Sequence, residues 1–192
     1  MATRRPDAAV ERVDVDAYTV PTDAPEADGT LTWDQTTVVV VHVSAGGASG
    51  IGFTYGPSAC ATLVRDALAS VVVGLDAMDV PAAWAQMVQA IRNIGRPGVA
   101  SMAIAAVDTA LWDLKARLLD ISLATLLGRV RTEVPVYASG GFTSYREDDL
   151  GSQLGTWVHD WGIPRVKMKV GTGWGTEPER DVERVRVARE AV

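Results

Sequence analysis

Lys167 and Lys169 alternate with Val166, Met168 and Val170 in the stretch "PRVKMKVGTG", residues 164–173. An extended chain puts residues two apart on one face, so both ammonium groups point one way and the apolar side chains the other. Glycine follows directly and ends the strand just past the second lysine. The plain reading is an edge strand guarded by lysine against pairing. The chemical reading starts from position: parallel-sheet folds build their sites at the C-terminal ends of strands. Two ammonium groups there stand about 6–7 Å apart along the backbone. Mutual repulsion and partial burial both favour a neutral amine on one of them. A neutral lysine is a usable base, and its charged neighbour can hold an anion. The pair suits removal of a proton beside a carboxylate, where negative charge develops.

Elements on both sides must position these lysines. A strand is predicted at 134–138, ending in "SGG", and a second at 165–170. Between them Leu150, Leu154, Trp157 and Trp161 mark one helix face. After the glycines, Thr176 with Glu179 has the spacing of a capping box, and Val182, Val185 and Ala188 form another helical face. Strand, helix, strand, helix is the order of a parallel α/β layer.

Upstream the order differs. Strands are predicted at 10–20, 36–43 and 51–55, an antiparallel meander, with a polar loop from 21 to 33. A helix is predicted at 58–73. Another follows Asp79, with proline in its first turn, and runs to about residue 93. The clearest helix is 99–119, where Ile104, Val107, Leu111, Leu114 and Leu118 share a face and alanines 103, 105, 106 and 110 allow close packing. Asp113 and Arg117 pair four residues apart on its polar side. A short helix ends at Gly128. The predicted organisation is an α+β domain over 1–130, then a (β/α) segment over 131–192.

Composition bounds the function. Of 192 residues, 47% are hydrophobic, enough for a core, and the net charge of −6 argues against nucleic acid as a partner. A single cysteine, Cys60, excludes an internal disulfide and suits the reducing cytoplasm. The N-terminal segment has two arginines but no apolar stretch behind them, and the valine run at 38–41 is far too short to span a bilayer. No membrane role is expected.

The segment "SMAIAAVDTALWDLKARLLDISLATLLG", residues 101–128, resembles the signature helix of the mandelate racemase and muconate lactonizing enzyme family of the enolase superfamily. A "VPVYASGG" strand and a Lys-x-Lys strand follow in the family's order, and the N-terminal strands and helices resemble its capping domain. "ALWDLK" is closer to the mandelate racemase subgroup. The resemblance implies an α+β capping domain, with a three-stranded antiparallel meander plus helices. The start of a (β/α) TIM-type barrel follows. A closed barrel needs about 250 residues, so the chain reads as truncated after about two βα units.

The resemblance also implies Mg²⁺-dependent abstraction of the proton alpha to a carboxylate. Lys169 would be the base, and Lys167 would contact the substrate carboxylate and help lower the pKa of that base. The metal ligands and the second acid/base are expected beyond residue 192, so no residue here is assigned to the metal. Family capping loops close over the barrel mouth, where Trp33 and Tyr55 would wall the substrate, and Ser139, at the end of the first barrel strand, would hydrogen-bond it. The plainer alternatives are a loop anchor for Trp33, strand filler for Tyr55 and turn chemistry for Ser139.

Asp108, Asp113, His42, His159 and Cys60 read as structural. The expected parent enzyme is a 2-hydroxy acid racemase or acid-sugar dehydratase. It would act on a small-molecule carboxylate in the cytoplasm as a homo-oligomer, with the 192-residue chain alone inactive. The alternatives are a catalytically inactive truncated remnant or a muconate-lactonizing-type cycloisomerase.

Overall fold

The computed structural model describes residues 8–192. In chain order the elements are β1 (Arg12–Ala27), β2 (Thr32–Ala45), β3 (Ala48–Tyr55), α1 (Ala59–Leu63), α2 (Ala69–Val72), α3 (Val80–Ala90), α4 (Val99–Leu118) and α5 (Leu123–Leu127). After these come β4 (Ala138–Ser139), α6 (Glu147–Gly155), β5 (Val166–Lys167), α7 (Thr172–Gly175, one irregular turn) and α8 (Pro178–Ala191). Two compact units are present: Met1–Val20 with Thr37–Val130, and Pro21–Thr36 with Arg131–Val192. Residues 21–36 therefore group with the second unit rather than with the rest of 1–130.

In the first unit the strands run in the order β1-β2-β3. β2 and β3 pair antiparallel, with Val39 opposite Thr54, Val41 opposite Gly52 and Val43 opposite Gly50. The three valines are fully buried, so alternation along β2 sets the core face. That face receives α4, whose Ala103, Ala106, Val107, Ala110, Leu111 and Leu114 are buried. Strand and helix approach so closely that only glycine fits at positions 50 and 52 of β3. A Cβ on Gly52 would come within 2.5 Å of the Ala110 nitrogen and collide with the Ala106 carbonyl oxygen. One on Gly50 would lie 2.7 Å from Leu114 Cβ. Asp113 locks the contact by accepting the Ile51 N–H (2.9 Å) as well as Arg117 (2.9 Å). The expected surface ion pair thus also joins helix to strand.

Some expectations are corrected. β1 extends to Ala27 and β2 begins at Thr32, so the loop expected over 21–33 shrinks to a turn. β1 lies at the sheet edge, where Pro21 and Pro25 are tolerated. The helix expected at 58–73 is continuous but contains a π-turn, Val64–Leu68, between α1 and α2. Ala105 faces solvent.

In the second unit β4 and β5 pair in parallel, joined through α6, and α8 packs beside α6. Leu150, Leu154 and Ala188 are buried between them, with Trp157, Val166, Met168 and Val187 packed around. The strands are shorter than expected: 134–137 stands outside any ladder, with Val134 72% exposed. α6 ends in a π-turn, Thr156–Asp160, where Trp161 N–H bonds to Thr156 O. The extra residue per turn rotates Trp161 off the buried face, to 66% exposed. The capping box does not form. Thr176 turns its hydroxyl back to Gly173 O (2.6 Å), and α8 starts at Pro178. On α8 the buried residues are Arg184 and Ala188, whereas Val182 and Val185 are exposed.

Gly52→Ala should destabilise the fold by about 1–3 kcal/mol through overpacking against α4. A thermal melt followed by circular dichroism checks this. A melt like that of the wild type would show that β3 and α4 can part without loss.

Candidate active site

The two lysines sit on β5 and its continuation. Ser139 is opposite Lys167 in the parallel register. Backbone bonds run from Ala138 N–H to Arg165 O (2.9 Å), Gly140 N–H to Lys167 O (3.0 Å) and Lys169 N–H to Gly141 O (3.0 Å). The pairing therefore continues past the short formal strands, to the second lysine. Glycine is required where it does so. Gly141 has φ +56°, and a Cβ there would lie 2.6 Å from Met168 Cβ. One on Gly140 would lie 2.6 Å from Gln153 Oε1. The "SGG" after β4 thus lets the chain bend tightly against the lysine strand.

The predicted alternation is present. Val166 and Met168 pack on the helices, while Lys167 and Lys169 take the other face. Lys169 is half-buried and Lys167 exposed, so partial burial applies to Lys169 alone. The Lys167 ammonium lies 5.7 Å from the Tyr137 ring centre, a cation–π contact.

Arg184 holds the loop after β4. Its guanidinium, 1% exposed, donates to Tyr145 O (2.8 Å), Gly141 O (3.1 Å) and Phe142 O (2.7 Å). Its Nε is buried without a partner. Burial pushes the Arg184 pKa below its ordinary value, and the Arg180 charge adds to this. Gly141 O thereby serves both the Lys169 N–H and Arg184.

Asp181 holds the loop after β5, accepting from Gly171 N–H (2.7 Å) and the Thr172 hydroxyl (2.9 Å). Burial would raise its carboxyl pKa, but these donors outweigh it and hold the group below its usual value. Asp28 lies in the turn between β1 and β2. The N–H groups of Leu31 and Thr30 and the Thr30 hydroxyl lower its pKa, and the Lys169 charge contributes.

Trp33 lies on β2 rather than in a loop. Its indole N–H donates to Glu26 (2.7 Å), and its ring meets Phe142 edge-on at 5.7 Å. Tyr55 ends β3 in the first unit and is 67% exposed. Among the described residues no group of three or more His, Cys, Asp or Glu side chains is placed to hold a metal ion.

Residues 12–128 match the family model described as "Mandelate racemase / muconate lactonizing enzyme, N-terminal domain". The chain belongs to the mandelate racemase / muconate lactonizing enzyme family. A mandelate racemase/muconate lactonizing enzyme-like protein from Rubrobacter xylanophilus has 59% sequence identity and a TM-score of 0.91, over 96% of this chain and 50% of that one. A Streptomyces coelicolor A3(2) racemase, solved with bound magnesium, has 34% identity and a TM-score of 0.88, over 95% of this chain and 52% of that one. The 3,6-anhydro-alpha-L-galactonate cycloisomerase of Streptomyces coelicolor is 35% identical over 94% of this chain and 51% of its own length. The L-talarate/galactarate dehydratase of Salmonella typhimurium is 31% identical over 81% and 39%. The chain therefore spans about half the length, or less, of these relatives.

Within this family frame, Ser139 is brought beside Lys167. Sequence reasoning missed Arg184, Asp181 and Asp28. Arg184 and Asp181 carry no local sequence signal for these bonds, which arise only when the chain fold sets α8 against the two loops. Asp28 carried the one readable signal, an "ADGT" turn.

The depressed Asp181 pKa gives a pH signature. Its stabilisation is present above the unfolded carboxylate value, about 3.9, and is lost as pH falls through the lower folded value. Asp181→Asn should therefore melt below the wild type at pH 7, with the gap closing below about pH 4. Melting curves across pH check this, and a gap that widens on acidification would exclude the assigned role.

Proposed function

We propose that this chain carries the proton-abstracting part of an enolase-superfamily site. Lys169 is the base that removes the proton alpha to a carboxylate. Lys167 meets that carboxylate, and Ser139 donates or accepts a hydrogen bond beside it. Trp33 and Tyr55 contribute to substrate choice. The observation that carries this reading is the half-buried Lys169, its backbone tied to Gly141 O, one step beyond the Lys167–Ser139 pair. A base must be held within hydrogen-bond reach of its proton, and a pinned strand end does this better than a mobile loop.

The enolate so formed is common to racemisation, dehydration and cycloisomerisation. The relatives include a dehydratase and a cycloisomerase, so a hydroxyl-bearing acid is the preferred substrate class, with the muconate-lactonizing type of reaction as an equal alternative. A mandelate racemase outcome has no separate support. Magnesium belongs to the same reading, since a structural relative was solved with it. The described residues do not supply a site for it, so this chain is assigned the base and not the metal.

That lack of an acidic cluster favours a second reading, in which the 192-residue chain alone has no turnover. The two readings are separable by measurement. In an active protein carrying this sequence, Lys169→Ala should lower exchange of the substrate alpha hydrogen with D₂O by at least about 10²-fold. Exchange at the wild-type rate would remove Lys169 from the role. For the isolated chain, calorimetry should show no stoichiometric Mg²⁺ binding and NMR no exchange above background. Tight binding or turnover would overturn the second reading.

A further inference from the structure

A pocket of about 160 Å³ lies in the first unit, walled by Trp84 of α3, Arg96 of the following loop, and Ser101, Ile104, Ala105 and Asp108 of α4. None of the residues assigned to proton abstraction or to substrate contact lines it. Positions 101, 104, 105 and 108 fall on one face of α4 by helical spacing. Arg96 and Asp108 bring opposite charges to one small pocket, yet they do not pair. Among the described residues the Asp108 carboxylate has no hydrogen bond or ion pair, although it is half-buried. Burial alone raises its pKa above the ordinary carboxylate value.

The Arg96 side chain is uncompensated in the same way. Its guanidinium carbon stands 4.9 Å from the Trp84 ring centre, a cation–π contact, and among the described residues it meets no carboxylate or carbonyl oxygen. A guanidinium resting on a ring keeps the N–H groups of its edge free to donate. The backbone beneath is fixed, because Arg96 O accepts both the N–H (3.0 Å) and the hydroxyl (2.5 Å) of Ser101. Asp108 stands about two helical turns beyond Ser101. A half-buried carboxylate without a donor costs stability. Two uncompensated opposite charges lining one pocket point to a ligand that answers both.

We infer that this pocket binds a small amino acid as its zwitterion, with the carboxylate on Arg96 and the ammonium on Asp108. Both contacts are charge-assisted hydrogen bonds, the stronger kind. An ammonium has three donors, enough for Asp108 and for the Ser101 hydroxyl oxygen, whose own proton is engaged by Arg96 O. Size narrows the class. At about 30 Å³ for each water-sized group, the pocket takes roughly five non-hydrogen atoms, the size of glycine. Trp84 and Ile104 supply an apolar wall for the α-carbon. The inference goes beyond the proposed proton abstraction and does not rest on it. Binding is scored without turnover, so failure of one is separate from failure of the other.

The test is an NMR titration of the isotopically labelled chain with glycine, acetate and methylammonium. Glycine should shift the Trp84 indole N–H and the Arg96 and Ser101 amides saturably. Acetate and methylammonium each offer half of the zwitterion and should bind at least about tenfold more weakly. Arg96→Gln should weaken glycine about tenfold and leave methylammonium no weaker than in the wild type. Asp108→Asn should weaken glycine about tenfold and leave acetate no weaker. It should also melt at or above the wild-type Tm, because it removes an uncompensated half-buried charge. Lys169→Ala should leave glycine binding unchanged. The inference is overturned if glycine gives no saturable shift, binds no more tightly than acetate, or binds either pocket variant as tightly as the wild type. Asp108→Asn melting well below the wild type would make Asp108 structural and overturn it too, as would loss of glycine binding in Lys169→Ala.

Discussion

One carbonyl oxygen, that of Gly141, ties the lysine-bearing strand to its support. It accepts the Lys169 N–H from one side and Arg184 from the other. The oxygen reaches both because Gly141 adopts a left-handed φ that packs it onto Met168. A larger residue would push the loop away and break both bonds. Arg184 is buried among carbonyls rather than carboxylates, a costly arrangement that several well-made hydrogen bonds offset. The position of Lys169 thus depends on a glycine in one loop and an arginine on a later helix.

The 21–36 hairpin belongs to the same network. Thr143 donates its N–H to Ala27 O (2.9 Å) and its hydroxyl to Asp28 O (2.6 Å), and Ser144 donates to Pro25 O (2.6 Å). With Trp174 N–H on Gly29 O, both loops of the βα segment grip the hairpin tip. These bonds use the backbone of the tip, and the Asp28 side chain braces the turn from within by accepting from Thr30 and Leu31. Loops held by a fixed backbone are well placed to carry specificity.

Family membership and the proposed chemistry rest on different residues. The match over 12–128 covers the strands and helices of the first unit together with the 21–36 segment, and within it Gly50, Gly52 and the alanines of α4 set a close strand–helix spacing. The lysines lie outside that match. Relatives of this family are named for different reactions, a cycloisomerase and a dehydratase, so the fold alone does not choose among outcomes.

Local pattern and alternation were enough to read α4, the alternating β2 and the lysine face of β5, because each is a periodic signal within one element. The two-residue period that put Lys167 and Lys169 together needs no partner to be legible. Other features depend on pairs of residues far apart in the chain. Strand length at 134–138 depended on where a neighbour was available, and the exposure of Trp161 on a π-turn that shifts the helix phase by one residue. The burial of Arg184 in place of Val182 and Val185 was decided by which side of α8 meets the β4 loop. Grouping 21–36 with 131–192 required hydrogen bonds across more than a hundred residues. Sequence spacing records periodicity along one element. It does not record which carbonyl, in a distant loop, will be left for a buried guanidinium to satisfy.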